Sequence, residues 1–156
     1  MAPFSEAVGR VGRLAVLAAI ALAAACSEPD PASPYLEFAG GGFVFNYRLA
    51  TADYGFVARP RRRLPAEGQL EAVFENPAGG APLVVREPVR AGRTQYVFRT
   101  PPLEGVRAGR DYRVELRVRD AGGRVLASYA RTFRSDADQG VLPARPPVVG
   151  PGYQPG

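Results

Sequence analysis

The sequence predicts an all-β fold, a single sandwich of about seven antiparallel strands, from three features of its patterning. Apolar and polar residues alternate at period two, most clearly where Tyr112, Val114, Leu116 and Val118 interleave with Arg113, Glu115, Arg117 and Arg119. Turn-forming clusters recur at intervals of roughly ten residues, as short strands require. They are Asn76-Pro77-Ala78-Gly79-Gly80, Ala91-Gly92-Arg93 and Ala121-Gly122-Gly123, rich in residues that accept positive φ or preset a turn. No helical period appears after Cys26.

The elements divide the chain into four parts: residues 1–25, 26–42, 43–138 and 139–156. The first reads as a removable export signal. Arg10 and Arg13 supply its positive charge, and Leu14 to Ala25 (LAVLAAIALAAA) its apolar run. As a helix that run spans about 18 Å, short of the ~30 Å hydrocarbon core of a bilayer, so it is a signal segment rather than a membrane span.

Leu22-Ala23-Ala24-Ala25-Cys26 follows, and it resembles the lipobox of bacterial lipoproteins, in which small residues precede a Cys that is lipidated before cleavage. Small residues let the peptidase close around extended backbone, and the thiolate is the nucleophile that takes the lipid. Ala23 stands where the pattern prefers Leu, which lies one place further back at Leu22. The competing reading is a buried free Cys after a chance apolar run. The resemblance implies a covalent lipid on Cys26 and no other cofactor. With Ser27 rather than Asp after the Cys, it also implies the periplasmic face of the outer membrane, the inner membrane being the lesser alternative.

Ser27 to Pro34 (SEPDPASP) has no large apolar residue and favours an extended tether, and Gly40-Gly41-Gly42 reads as a flexible entry to the domain. The first strand is expected over Phe43 to Ala50, with Phe43, Phe45, Tyr47 and Leu49 on one face. Further strands are expected over Tyr54–Ala58, Gln69–Glu75, Pro82–Glu87, Thr94–Thr100, Asp111–Asp120 and Arg124–Arg134. From Pro143 the Pro- and Gly-rich tail should be extended and unable to build a core.

Val106, Gly109 and Tyr112, followed by the Gly122-Gly123 turn and a last strand ending Thr132-Phe133, resemble the end of fibronectin type III domains in the immunoglobulin-like class. The resemblance implies that the Tyr112 hydroxyl bonds to backbone at the corner before its strand. It concerns fold only, because such domains serve many functions. An unrelated sandwich or a barrel meets the same strand pattern.

Composition restricts the chemistry. The 156 residues include no His and one Cys, so there is no Ser–His or Cys–His pair, no imidazole metal ligand and no disulfide within the chain. All 20 basic residues are Arg, against 15 acids. Genome composition writes such a bias, and so does selection for bidentate grip on carboxylate or phosphate. Despite the basic balance, neither nucleic acid nor a metal is expected as a partner of an exported chain. The carboxylates show no converging pair of the kind glycoside hydrolysis uses. Ser135-Asp136-Ala137-Asp138-Gln139-Gly140 has neither the glycine position nor the closing Glu of a calcium loop.

Two surface features are candidate contacts. Arg59, Arg61, Arg62 and Arg63 flank Pro60, either as a solvated, edge-protecting loop or as an anion or partner contact. Val148, Val149 and Tyr153 give the tail apolar handles on a stiff backbone, either incidental to a solvating terminus or a peptide ligand. On the strand face opposite the core, Glu71 and Glu75 are expected to form a solvated ladder with Arg113 and Arg117. The expectation that follows is a non-enzymatic envelope lipoprotein with an envelope protein as partner. The alternative is a lipoprotein binding an anion such as lipopolysaccharide, cell-wall polymer or a small molecule.

Overall fold

The computed structural model describes residues 33–147 and Gly150. The export signal, Cys26 and the tail residues Val148, Val149 and Tyr153 lie outside the described residues.

Seven strands form two sheets. They are β1 (Leu36–Asn46), β2 (Thr51–Pro60), β3 (Gln69–Phe74), β4 (Leu83–Pro88), β5 (Tyr96–Arg99), β6 (Asp111–Arg119) and β7 (Val125–Arg134). One sheet has the order β1-β2-β5 and the other β4-β3-β6-β7, with every pairing antiparallel. The two sheets stay separate, so this is a sandwich of the immunoglobulin-like, fibronectin type III-like kind and not a barrel.

Alternation decides which side chains enter. Ala52, Tyr54, Phe56 and Ala58 of β2 face Leu70, Ala72 and Phe74 of β3 and Tyr112, Val114, Leu116 and Val118 of β6, all buried. The centre is aromatic. Phe43 stacks on Tyr54 at 4.5 Å between centroids, Tyr54 meets Phe74 edge-on at 5.1 Å, and Phe56 stacks on Phe98 at 5.0 Å. Such pairs contribute about 0.5–1.5 kcal/mol each beyond the area they bury.

The glycine run departs from expectation. It is no flexible entry: β1 begins at Leu36 and runs through Gly40, Gly41 and Gly42, with a register shift between Phe38 and Gly40. Gly41 faces inward, where a Cβ would lie 2.6 Å from the Gly55 carbonyl oxygen and 2.7 Å from the Phe133 ring. The side chains of Phe56 and Phe133 fill the room that a side chain on Gly41 would take, and their rings stack at 6.2 Å between centroids.

The other end of β1 also differs. Tyr47 and Leu49, assigned to the core face by their spacing, are exposed because the strand ends at Asn46. The Asn46 side-chain oxygen accepts a hydrogen bond from the Leu49 amide at 3.1 Å, and Ala50 closes the turn with φ of 54°. An Asn that bonds forward to backbone competes with strand continuation.

The C-terminal boundary lies later than Asp138. A 3-10 turn at Gln139–Val141 docks on the domain, and Leu142 packs against the core. The Gln139 side chain donates to the Leu103 carbonyl at 2.9 Å and accepts from the Val106 amide at 3.4 Å.

Candidate functional site

The registers sort the connections to two poles. Leu36 pairs with Pro60, Ala58 with Tyr96, Gln69 with both Pro88 and Arg119, and Arg119 with Val125. The β2–β3, β4–β5 and β6–β7 connections therefore gather where the chain enters at Tyr35. The β1–β2, β3–β4 and β5–β6 connections, and the segment after β7, gather at the far pole.

At the entry pole the β2–β3 and β4–β5 connections enclose a groove of about 360 Å³. Arg62, Arg63, Arg90 and Arg93 line it, with Glu67 the one acid and Pro60, Leu64 and Val89 its larger apolar wall. Tyr96 builds one side from below: its hydroxyl accepts from the Arg90 amide at 3.0 Å and donates to the Arg90 carbonyl at 3.3 Å. The Arg93 guanidinium lies 4.8 Å from the centroid of the same ring, donates to the Gln95 carbonyl and meets Glu87 at 3.4 Å. Among the described residues the exposed Arg63 and Arg90 side chains have no hydrogen-bond or ion-pair partner.

The arginines singled out around Pro60 are thus divided among three tasks. Pro60 ends β2, as its missing N–H requires. Arg59 lies on that strand in register with Glu37, outside the groove lining. Arg61 and Arg62 grip the entering chain: the Arg61 amide donates to the Tyr35 carbonyl at 3.0 Å, and the Arg62 guanidinium covers the Tyr35 ring at 3.6 Å. The Arg61 side chain also meets Glu37 at 3.5 Å. Arg62 and Arg63 turn toward the groove and meet Arg90 and Arg93 there. Of the latter two, Arg93 was legible only as part of a turn and Arg90 was not singled out. Their convergence depends on how the two sheets are joined, which local pattern does not encode.

The ladder on the outer face of β4-β3-β6-β7 is less solvated than its alternation implies. Glu71 is buried, 4% exposed, under Arg86 at 2.8 Å, Arg119 at 2.7 Å and Arg117 at 3.2 Å. The hydrogen bond from Arg119 holds its carboxyl below the usual carboxylate range, against the opposing effect of burial. Arg117 also forks onto Glu115 at 2.9 and 3.1 Å, and the Ser128 hydroxyl donates to the same carboxylate at 2.6 Å. Those contacts pull Glu115 down to about 2. Glu75 takes the Arg110 guanidinium at 2.7 Å and the Arg113 backbone amide at 2.9 Å, so the Arg113 side chain is not its partner. The guanidiniums of Arg86, Arg117 and Arg119 are occupied by carboxylate, which makes this face scaffold and leaves the entry-pole groove as the candidate site.

The calcium-like segment has a structural task instead. Asp138 accepts from the Ala108 amide at 2.8 Å, and the buried Ser135 hydroxyl donates to the Ala137 carbonyl at 2.7 Å. No family model matches the chain, and no curated protein aligns with it.

Proposed function

We propose that the protein is a non-enzymatic lipoprotein of the bacterial envelope, held on the periplasmic face of the outer membrane by lipid on Cys26. Its sandwich is an interaction or assembly module. The run from Leu14 to Cys26, ending in the sole cysteine of the chain, carries the reading. The fold is compatible with it: the chain enters the sandwich at Tyr35 and leaves β7 at the opposite pole. The anchor and the tail therefore join the sandwich by opposite ends of its strands, and the tail, with Val148, Val149 and Tyr153, is the proposed partner contact.

Acyl chains supply about 0.8 kcal/mol per buried methylene, and two chains give stable anchoring. Intact-mass measurement on protein from native membranes tests the anchor. A chain beginning at lipidated Cys26 is expected, and an unmodified Cys26 overturns the reading. Pull-downs from solubilised membranes with and without residues 143–156 test the tail, and unchanged partner recovery removes it as the contact.

A further inference from the structure

We propose that the entry-pole groove holds phosphate, that of an anionic phospholipid headgroup in the membrane carrying the anchor. This rests on the lipoprotein reading and adds to it a second, electrostatic attachment. Guanidinium is planar and always charged, and its paired N–H groups match phosphate oxygens two at a time. Here Arg63 and Arg90, on two different connections, face one concavity and have no hydrogen-bond or ion-pair partner among the described residues, Glu67 being the one acid in its lining. Arg93 is partly engaged, its Nε donating to the Gln95 carbonyl at 3.0 Å and its Nη1 meeting Glu87 at 3.4 Å. Simple protection of a strand edge does not require guanidiniums from two loops to converge on a groove with an apolar wall.

The charge distribution favours the membrane over a soluble anion. The entry-pole connections hold Arg61, Arg62, Arg63, Arg90, Arg93 and Arg124 against Glu67 and Asp120. The far-pole segments hold Arg48, Arg107, Arg110 and Arg145 against Glu75, Glu104, Asp136 and Asp138, so they balance where the entry pole is basic. The basic pole is also the tethered one. From Cys26 to Tyr35 the chain reaches at most roughly 30 Å when extended, and Arg61 and Arg62 fasten its end beside the groove. A short tether thus keeps the groove near the headgroups, where binding no longer has to meet the cost of bringing two bodies together.

Arginine footprinting by a dicarbonyl reagent, read residue by residue by mass spectrometry, tests this on the full lipidated protein in nanodiscs. Discs of zwitterionic lipid are compared with discs that also contain an anionic phospholipid. Arg63, Arg90 and Arg93 are expected to react about fivefold more slowly in the anionic discs, with Arg48 and Arg107 at the far pole unchanged. Raised salt should erase the difference, and Arg63→Glu with Arg90→Glu should abolish the protection of Arg93. Equal reactivity in both discs overturns the proposal. So does protection in zwitterionic discs by inorganic phosphate without any by anionic lipid, which assigns the groove to a soluble phosphate. Should Cys26 prove unlipidated, the same footprint on the full chain with anionic vesicles still reads the groove, so the two failures are distinct.

Discussion

The Tyr112 hydroxyl accepts a hydrogen bond from the amide of Arg107, five residues upstream, at 2.8 Å. Three other tyrosines do comparable work. Tyr54 donates to the Glu75 carbonyl, Tyr129 accepts from the Tyr35 amide, and Tyr96 bonds both backbone groups of Arg90. Each packs its ring on or within the core and spends its hydroxyl on a connection or the entering chain, so loop placement is coupled to core packing. For Tyr54 the same burial, with Glu75 nearby, pushes the hydroxyl pKa well up, so it remains a donor.

Tyr112→Phe should keep the fold and lose stability. It deletes the acceptor of a part-buried amide while leaving the ring volume intact, which costs about 1–3 kcal/mol. Urea unfolding is expected to show a lower midpoint with an unchanged slope. An unmoved midpoint would mean that water satisfies the Arg107 amide.

Gly41→Ala should be destabilising by about 1–3 kcal/mol, the usual cost of overpacking. The new methyl meets the Gly55 carbonyl oxygen at 2.6 Å, a backbone atom that cannot turn aside, besides the Phe133 ring. Gly40→Ala, one residue earlier, meets nothing within 4 Å and should be neutral or stabilising by up to about 1 kcal/mol. Thermal unfolding of the pair separates crowding at one site from a general need for flexibility.

These two residues show where sequence was informative. Tyr112 announces itself, because Val106, Gly109 and the period-two run after it are local and can be read along the chain. Gly41 does not, because its constraint comes from the paired strand at Gly55 and from Phe133, which lies 92 residues away in sequence. The same distinction covers the site. Arg61 to Arg63 stand out as a run, whereas Arg90 and Arg93 acquire meaning only when the two connections meet. Glu71 was legible as outward-facing, but its burial follows from three arginines on strands to either side closing over it.

Gln139→Ala should loosen the far pole selectively. The side chain bonds the Leu103 carbonyl and the Val106 amide, and its backbone amide donates to the Val106 carbonyl at 2.8 Å. Loss of the side-chain bonds should cost roughly 1–2 kcal/mol. Amide hydrogen exchange is expected to accelerate at Val106 and Leu142 while β3 and β6 keep their protection. Uniform acceleration would instead show that the docked segment is part of the global fold.

Acid should weaken the domain through the ladder. Glu115 has its folded-state pKa lowered from 4.5 to about 2, first by the hydrogen bond from Arg117 and then by that from Ser128, and Glu71 is lowered too. A depressed carboxylate binds fewer protons in the folded state than in the unfolded one. Its contribution is therefore complete above about pH 4.5 and lost as pH falls toward about 2. Allowing for solvent around Arg117 and Glu115, Glu115 should account for about 1–2 kcal/mol of that loss. Glu115→Gln should flatten the stability profile in this window and lower stability at neutral pH. Glu71→Gln should cost more at neutral pH, roughly 1.5–3 kcal/mol, because it removes the charged acceptor shared by Arg86, Arg117 and Arg119. Denaturant unfolding measured across the window decides it: an unchanged pH slope in Glu115→Gln would show that Arg117 does not hold that carboxylate in solution.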